Sequence, residues 1–485
     1  MSPADADYSR GMALAHAGQW DAAAAVFREG LRQSPRDKRF PLELAGVAFR
    51  QKDYATAKGD LLEALRIDPG DSYANDFLAT LFFLDGNLEA ALKYWNRTGG
   101  PYVERVRLEP EPKTDPVLLD RAFAFAPKST LLWSDYLTTR ARLDLMGLFP
   151  GWNLELQPDA DDNNFDAVLR TPPGRSWLSL LRGLPFETVY AEAHDLGRRG
   201  IDFDSLFRWD TQKRRVSAAL AGPLGRRPEW RYRLFFDGRN ENWVLPGQAG
   251  FNLKRLEAAA EMESVVGGRL MWNTGVGVSE RRFVNSPFAS GDALETHGGL
   301  DYSLVRVPEL RFTLDSGAHA RLGRFFGRGL FSQVGGSLRA HWFPRARGDD
   351  YETSLDLHAG HGTGAIPFDE LSMLGLERDN DLWLRAHIGT ADGKKGSAPM
   401  GPTYLLANWD VRKIVHQGSF YTVRVGPFLD TGRVYGPPGM RFGPSGWLCD
   451  AGLQAGLRLL GTAEIVFTFG RDLRAGRNAW YALAR

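Results

Sequence analysis

The sequence predicts a multidomain protein in which helical repeats and a small mixed domain precede a large antiparallel β-barrel. Three observations predict this class: a period of about 34 residues near the N-terminus, a β-α-α-β-β order after it, and period-two alternation from about Ile201 onward. A chain of 485 residues is also too long for one compact domain. We therefore expect four segments, with the bounds 1–100, 101–172, 173–199 and 200–485.

Composition and charge exclude several classes of function. A net charge of +1 gives no basic field for nucleic acid. The single cysteine, Cys449, cannot form an internal disulfide and is a poor basis for a metal site. No apolar run has the length of a membrane-spanning helix, although spanning β-strands alternate and give a weaker signal. We find no catalytic constellation, and we expect no cofactor, no metal and no enzymatic activity.

The first hundred residues repeat with the period of tetratricopeptide units, in which two antiparallel helices form each unit. Pro35 and Pro69 would end the second helix of the first two units. The matching positions are Gly18, Lys52 and Gly86; Trp20, Tyr54 and Leu88; Ala23, Ala57 and Ala91; and Phe27, Leu61 and Trp95. Such repeats are concave docking surfaces for peptides or proteins. A plain helical bundle with coincidental spacing is the alternative.

The next segment, 101–172, has a different pattern. Val103–Leu108 alternates like a strand, Asp115–Phe125 and Ser129–Leu148 have helical periodicity, and Asn153–Gln157 with Phe165–Arg170 predicts a hairpin. The order is β-α-α-β-β, and a linker follows at 173–199.

The turn of that hairpin contains the acidic spacing of a calcium loop, at Asp159, Asp161 and Asn163. Asn164 occupies the position that requires glycine, and Arg170 occupies that of the closing glutamate. We therefore expect a solvated turn.

The segment 200–485 alternates strand after strand, with one apolar face and one face of charges and glycines. Alternation leaves open which face is inside, and a soluble β-sandwich is the alternative. Aromatic residues on the apolar face, arginines on the polar face, and connections that alternate between short and long favour a transmembrane barrel. We expect about 14 strands, or about 12 or 16, with roughly nine before an insertion at 362–400 and roughly five after it; an even total would return the C-terminus to the side where the barrel began.

Two motifs lie in and after this insertion. The insertion contains Pro367-Phe-Asp-Glu-Leu371, Leu374-Gly375 and Leu384-Arg-Ala-His387, and a later strand contains Phe428-Leu-Asp-Thr-Gly432. They resemble the lumen loop and the Phe-x-Asp-x-Gly strand motif of the BamA/TamA-type bacterial surface-antigen superfamily. The chain departs from the family's loop tip at Ala386, where the family has glycine, and at His387, where it has an aromatic residue. Segment 101–172 likewise resembles a POTRA domain, in that Thr139-Arg-Ala-Arg-Leu143 runs into Gly147-Leu-Phe149.

The resemblance implies a site within the barrel. Phe428, Asp430 and Gly432 share the polar face of their strand, so that Arg385 of the loop would meet Asp430 away from bulk water, and Gly432 would make room. The alternative is that Arg385 and Asp430 are ordinary lumen charges, solvated by pore water. A weak lateral seam is expected where the first and last strands meet, with Ile201 and Phe203 against Trp480 and Ala482.

The function that the resemblance implies is assembly, insertion or translocation of polypeptides in the outer membrane of a Gram-negative bacterium. The repeats and the POTRA-like module would lie in the periplasm. The expected partners are outer-membrane or secreted client polypeptides, lipoproteins and the lipid bilayer, with no nucleic acid. The first residues lack a basic start and an apolar stretch, so we expect that a signal peptide is absent from this sequence. A passive porin-like channel with a docking arm and a soluble repeat protein with a β-sandwich are the alternatives.

Overall fold

The computed structural model describes residues 2–149, 151–159, 164–171, 184, 187–211, 213–344, 351–418, 420–459 and 463–484. The chain divides into two compact units. One comprises Met1–Arg107, Phe125–Tyr136 and Leu154–Leu169, and the other comprises Leu108–Ala124, Leu137–Asn153 and Arg170–Arg485. The predicted segment 101–172 is therefore shared between the two units.

The N-terminal part consists of three helical pairs. The six helices are α1 Pro3–His16, α2 Trp20–Gln33, α3 Arg39–Arg50, α4 Tyr54–Ile67, α5 Ser72–Leu84 and α6 Leu88–Trp95. The alanines at the repeated position, Ala23, Ala57 and Ala91, have no exposed surface, which allows the paired helices to approach closely. No helix of the described residues combines the length and the apolar composition required to cross a bilayer.

The spacing of the repeats reflects a turn of the backbone that occurs once in each helical pair. The first helix of each pair is followed by a residue in the left-handed region, with φ of 74° at Gly18, 64° at Lys52 and 70° at Gly86. This conformation turns the chain into the second helix, and glycine adopts it without strain. The spacing seen in the sequence therefore marks a required turn, which Lys52 makes at a cost in backbone strain.

A small four-stranded sheet follows the repeats. Its strands are β1 Tyr102–Glu109, β2 Ser129–Thr130, β3 Asn153–Pro158 and β4 Phe165–Arg170. Their spatial order is β2-β1-β4-β3. Two helices lie between β1 and β3 in sequence, α7 Pro116–Ala122 and α8 Trp133–Met146. The long elements follow the predicted order. The second helix begins at Trp133 rather than Ser129, because Ser129 pairs with Val103 in the sheet.

The predicted calcium-like turn lies partly outside the described residues, which exclude Asp161 and Asn163. Arg170, at the position of the closing glutamate, lies in β4 and forms an ion pair with Glu109 at 3.4 Å. A cationic side chain at that position cannot serve as a calcium ligand, since calcium is bound by oxygen atoms.

The largest element is one antiparallel sheet, whose strand order is that of a closed barrel. Its wall strands before the insertion are β5 Thr188–Ala193, β6 Asp202–Trp209, β7 Lys213–Leu224, β8 Arg227–Trp243, β9 Phe251–Val266, β10 Leu270–Val284, β11 Gly291–Val307, β12 Phe312–Phe325, β13 Gly329–Trp342 and β14 Tyr351–Gly364. The insertion contains four two-residue strands, β15 Ser372–Met373, β16 Thr390–Ala391, β17 Lys394–Lys395 and β18 Met400–Gly401. The wall continues with β19 Thr403–Gln417, β20 Tyr421–Tyr435, β21 Leu448–Leu459, β22 Ala463–Asp472 and β23 Asn478–Ala484. β14 pairs directly with β19, so the insertion leaves the wall without interrupting it.

The wall differs from the prediction by one strand. Within the described residues, ten wall strands precede the insertion and five follow it, whereas nine were expected before it. The additional strand is β5, Thr188–Ala193, which lies in the predicted linker 173–199. Its six residues are too few for a clear alternating pattern, and pairing with β6 establishes it as a strand. The expected even total is not met by the described strands.

The extra strand also corrects the predicted seam. β5 lies between β6 and β23 in the strand order. Phe203 is paired with Ala193 of β5 and Leu220 of β7, and Ile201 immediately precedes β6. Ile201 and Phe203 are therefore one strand away from Trp480 and Ala482 of β23, and the barrel closes between β5 and β23 instead.

The orientation of the two faces decides between a sandwich and a membrane barrel. On β8, Leu234 is 50% exposed and Phe236 is 45% exposed, whereas Asp237 and Glu241 are buried. A soluble sandwich would place the apolar side chains in its core. An apolar outer face around a charged interior is instead the arrangement of a transmembrane barrel, so the β-sandwich alternative does not describe this chain.

Two helical segments contact the barrel within the second unit. Asp115, which caps α7, forms an ion pair at 2.7 Å with Arg226 in the turn between β7 and β8. Arg231 of β8 donates a hydrogen bond of 2.7 Å to the carbonyl oxygen of Leu145 in α8.

Candidate functional site: a loop anchored inside the barrel

The insertion between β14 and β19, residues 365–402, is called the lumen loop here. It is held to itself by two short antiparallel pairings, β15 with β18 and β16 with β17. β17 also forms a parallel bridge to the wall, between Lys395 and Trp243 of β8. Hydrogen bonding within the loop and to the wall gives it a defined path.

The tip of the loop presents Arg385 to the wall. Its Nε lies 2.8 Å from Oδ2 of Asp430, and its Nη2 lies 2.5 Å from Oδ1 of the same carboxylate. Its Nη1 donates to Asp410 at 2.5 Å and to Gln454 at 3.2 Å. The Arg385 side chain is 2% exposed and that of Asp430 is fully buried. The charges therefore interact directly and are shielded from pore water, unlike in the alternative of solvated lumen charges.

Residues of β20 and of its neighbour β19 support the contact between Arg385 and Asp430. Asn408 of β19 donates a hydrogen bond to Asp430 at 2.7 Å and another to the loop carbonyl of Trp383 at 2.7 Å. The Phe428 ring lies beneath the Arg385 guanidinium, with the ring centroid 3.9 Å from its carbon. A Cβ at Gly432 would lie 3.1 Å from the loop side chain of Leu374.

The residues after Arg385 contact two further wall strands. The Ala386 amide donates to Asp450 of β21 at 2.7 Å, and the His387 ring lies between Asp450 and Asp472 of β22. The wall approaches closely here, because a Cβ at Gly470 would lie 2.7 Å from the Arg385 carbonyl oxygen. Ala386 and His387 are thus accommodated by specific wall residues.

A second anchor, which sequence reasoning missed, lies at the start of the loop. Asp369 accepts hydrogen bonds from Arg281 of β10 at 2.7 Å and from Arg255 of β9 at 2.8 Å. Glu370 forms ion pairs with Arg281 at 2.5 Å and with Arg255 at 2.7 Å, and it also forms an ion pair with Arg321 of β12. Arg281 has no exposed side-chain surface. The two acids lie in the Pro367–Leu371 motif, but their arginine partners are distant in the sequence, and no pattern of neighbouring residues identifies them.

A third anchor, also missed, holds the middle of the loop. The Asp379 carboxylate lies 2.5 Å from Lys213 and 2.7 Å from Arg215, both on β7, and 2.9 Å from Arg208 on β6. Lys213 is fully buried and is also 2.7 Å from Glu241 of β8. A buried charge without a partner costs several kcal/mol, so removal of Asp379 from this position would destabilise the wall residues Lys213, Arg215 and Arg208.

An aromatic cluster closes one part of the lumen around Phe368 of the loop. Phe368 stacks on Phe288 with ring centroids 3.9 Å apart and meets Trp243, Phe251 and Phe442 edge-on at 5.1, 5.5 and 5.7 Å. Trp243, Phe251 and Phe368 belong to one buried hydrophobic cluster, against which the partly buried Phe288 and Phe442 pack. The lumen loop therefore fills interior space that an open pore would leave to water.

One group of side chains has the composition of a metal site. Among the described residues, ligand atoms of His387, Asp450 and Asp472 lie within 4.8 Å of one another.

Comparison with known proteins supports the two parts of the architecture. A tetratricopeptide repeat family model matches residues 14–81. No curated protein sequence matches the chain. The fold resembles CdiB from Escherichia coli, with a TM-score of 0.56 and 11% identity over 80% of this chain and 77% of that chain. It also resembles CdiB from Acinetobacter baumannii, with a TM-score of 0.50 and 10% identity over 82% of each chain. A structure of BamA from Haemophilus ducreyi lacking POTRA domains 1–3 aligns over 79% of this chain and 84% of that chain, with a TM-score of 0.48 and 12% identity.

At these identities the likeness shows the fold alone. The chain combines a tetratricopeptide repeat arm with a large antiparallel barrel whose fold is similar to that of the two CdiB structures.

Proposed function

We propose that this protein resides in the outer membrane of a Gram-negative bacterium and inserts or translocates polypeptides, without catalysing a reaction. The observation that carries the proposal is the lumen loop, which three charged anchors hold inside the barrel. A passive porin needs a continuous aqueous lumen, whereas this interior is filled at Phe368 by a packed aromatic cluster. A loop that fills the lumen and is held by ionic contacts suits a barrel that opens only for a client.

The barrel closure supports a lateral route for the client. β5 has six residues and β23 has seven, compared with 17 in β8, so few hydrogen bonds can join them. A short pairing opens at lower cost than a long one, because each residue pair contributes to the ladder. We propose that a client strand pairs transiently with the strand edge that separation of β5 from β23 would expose, and that the lumen loop meanwhile maintains the shape of the wall.

The soluble parts would collect the client. We propose that segment 101–172 is a POTRA-like module and that both it and the repeats lie in the periplasm. β3 is an edge of the four-stranded sheet, where an extended peptide can add as a further strand. The tetratricopeptide arm offers a second docking surface, for the client or for a lipoprotein partner.

The proposal is tested by deleting the gene and comparing the outer-membrane and secreted proteomes with those of the parent strain. We expect the loss of a defined set of polypeptides, restored by the wild-type protein and not by Arg385→Ala. The variant Arg424→Ala is the matched control, since Arg424 shares the polar face of β20 but is 34% exposed and lies 4.0 Å from its partner Glu352. Unchanged proteomes together with a loss of small-solute uptake would instead identify a porin.

A further inference from the structure

A row of basic side chains crosses the outer face of the barrel on β7, β9 and β10. Arg214 and Lys254 are both direct cross-strand partners of Asn240 on β8, which lies between them. Arg282 is the direct partner of Lys254 on its other side. Trp209 of β6 pairs with Arg214 and ends the row. The strand register therefore places three cations side by side on the outward surface, and they are called the basic row here.

The basic row carries more positive charge than its neighbours neutralise. The side chains of Arg214, Lys254 and Arg282 are all exposed. Like charges directly opposite each other on neighbouring strands repel, as those of Lys254 and Arg282 do. Glu280 forms an ion pair with Arg282 at 2.6 Å, but within the described residues no ion pair involves Arg214 or Lys254. An anion from outside the chain would relieve this repulsion.

The basic row lies at the edge of the apolar band. Toward the middle of the wall, the outward side chains of the same four strands are exposed and apolar. They are Val216 on β7, Phe236 on β8, Leu256 on β9 and Val278 on β10. Trp209 is also exposed, and tryptophan favours the level at which hydrocarbon meets lipid headgroups. The three cations are therefore at headgroup level, directly beside a surface for acyl chains.

The basic row lies at the end of the barrel remote from the helical segments. Arg226, in the turn that precedes β8, pairs with Asp115 of α7, whereas Asn240 lies near the other end of β8. With the helical modules in the periplasm, as proposed above, this end reaches the outer leaflet. The lipids of that leaflet in Gram-negative bacteria are phosphorylated glycolipids, which carry phosphate groups directly above their acyl chains.

The basic row also lies at the level of two loop anchors. Each of its cations adjoins in sequence at least one residue that holds the lumen loop from inside. These residues are Lys213, Arg215, Arg255 and Arg281. Because successive side chains of a strand point to opposite faces, the outer cations and the inner anchors share one level of the wall. An anion that bridges the row would brace the strands that hold the loop.

We propose that Arg214, Lys254 and Arg282 bind the phosphate groups of an outer-leaflet glycolipid, whose acyl chains lie against the apolar band. Guanidinium and ammonium groups are the side chains that bind phosphate best. The inference rests on the proposed outer-membrane location and adds a lipid ligand to it. It does not depend on polypeptide transport.

The experiment measures lipid binding to the purified full-length protein in a neutral detergent, by native mass spectrometry. The probes are lipid A, lipid A from which the phosphates have been removed, and inorganic phosphate. We expect the wild type to bind lipid A in preference to the dephosphorylated lipid. Lys254→Gln should bind lipid A about fivefold more weakly, the factor that corresponds to one cation at an anionic lipid surface. Lys254→Arg should retain the wild-type affinity, because the charge is kept.

Arg324→Gln is the matched control. Arg324 is an exposed cation of β12 near the same end of the barrel, but its direct cross-strand partners are Leu294 and Leu330. Its removal should leave the affinity for lipid A unchanged. Equal binding of the two lipids, or equal losses in Lys254→Gln and Arg324→Gln, would refute the site. Displacement of lipid A by an equal concentration of inorganic phosphate would indicate an anion site that does not recognise lipid, and would overturn the proposal as well.

The outcome is separable from the test of polypeptide transport. No client takes part in the binding measurement, so a failure to bind lipid A leaves the transport proposal standing. Unchanged outer-membrane and secreted proteomes after gene deletion would refute transport and leave the lipid site standing.

Discussion

The guanidinium of Arg385 and the carboxylate of Asp430 form a two-point contact, with Nε 2.8 Å from Oδ2 and Nη2 2.5 Å from Oδ1. The backbone N–H of Arg385 donates to the same carboxylate at 3.0 Å. Both side chains and the backbone of the tip are therefore fixed at one point of β20. Charge-assisted, bidentate contacts of this kind are stronger than hydrogen bonds between neutral groups.

We predict that removing either partner frees the loop tip. Arg385→Ala and Asp430→Ala should each leave a buried charge unpaired, at a cost on the order of 3 kcal/mol. Arg385→Ala should be the more severe, because it strands both Asp410 and Asp430, whereas Asp430→Ala leaves Arg385 with Asp410. The measurement is protease sensitivity of the loop in detergent, alongside recovery of client polypeptides in cells.

The double variant Arg385→Ala with Asp430→Ala should be no worse than Arg385→Ala alone, since the two residues act as a unit. Arg385→Lys should not restore the contact, because an ammonium cannot pair at two points. Strictly additive losses in the double variant would show that the pair does not act together.

We predict that Phe368→Ala opens the lumen. Phe368 is the centre of the aromatic cluster, and its truncation should destabilise the seated loop by about 3 kcal/mol. The single-channel conductance of the variant in a planar bilayer should exceed that of the wild type. Phe326→Ala, at a phenylalanine that is 50% exposed, should leave conductance unchanged. A wild type that already conducts as strongly as the variant would argue for an open pore.

We predict a pH-dependent stability of the repeat arm through Asp60 in α4. Burial raises the pKa of Asp60 to about 6 from its ordinary value of 3.8, and nearby Arg28 opposes the shift only partly. The folded state therefore binds the proton of the Asp60 carboxyl more tightly than the unfolded state does. The stabilisation that this proton contributes is fully present below pH 3.8 and is lost as the pH rises through about 6.

Asp60→Asn should therefore stabilise the arm at about pH 7.5, by about 1 kcal/mol once partial exposure is allowed for, and should have little effect at low pH. The measurement is thermal unfolding followed by helical circular dichroism of the full chain at both pH values. Equal effects at the two values would show that Asp60 does not titrate in this range.

We predict that Lys52→Gly stabilises the arm. Lys52 has φ of 64° at the turn where the other two repeats have glycine. Relief of the left-handed strain should contribute about 1 kcal/mol. Gly18→Lys is the reciprocal change and should destabilise by a similar amount, since a Cβ there meets no atom within 4 Å and only the backbone is strained. The same melting experiment reports both changes, and identical melting of all three proteins would contradict the explanation.

We predict that the full-length protein requires detergent or lipid to remain dispersed. Its strands expose a continuous apolar face, of which Leu453 at 60% and Trp480 at 73% are examples. An unheated sample should migrate faster on a denaturing gel than a boiled one, because the closed barrel resists unfolding. A monodisperse protein in plain buffer, with no shift on boiling, would exclude a membrane barrel.

The local periodicities of the sequence predicted much of the architecture. A spacing of about 34 residues is a property of consecutive residues, and the family model confirmed it over residues 14–81. Alternation identified the long strands and placed Phe428, Asp430 and Gly432 on one face, because neighbouring side chains of a strand point to opposite sides. The motif of the loop tip directed attention to Arg385.

The tertiary structure alone determined how these parts meet. The short strand β5 exists because it pairs with β6, and its presence moves the barrel closure away from Ile201 and Phe203. The anchors of Asp369 and Asp379 join residues separated by 114 and 166 positions, to Arg255 and Lys213. Periodicity tells which face a side chain occupies but not which distant residue lies across the lumen, since strand register and loop path are set by pairing around the whole barrel.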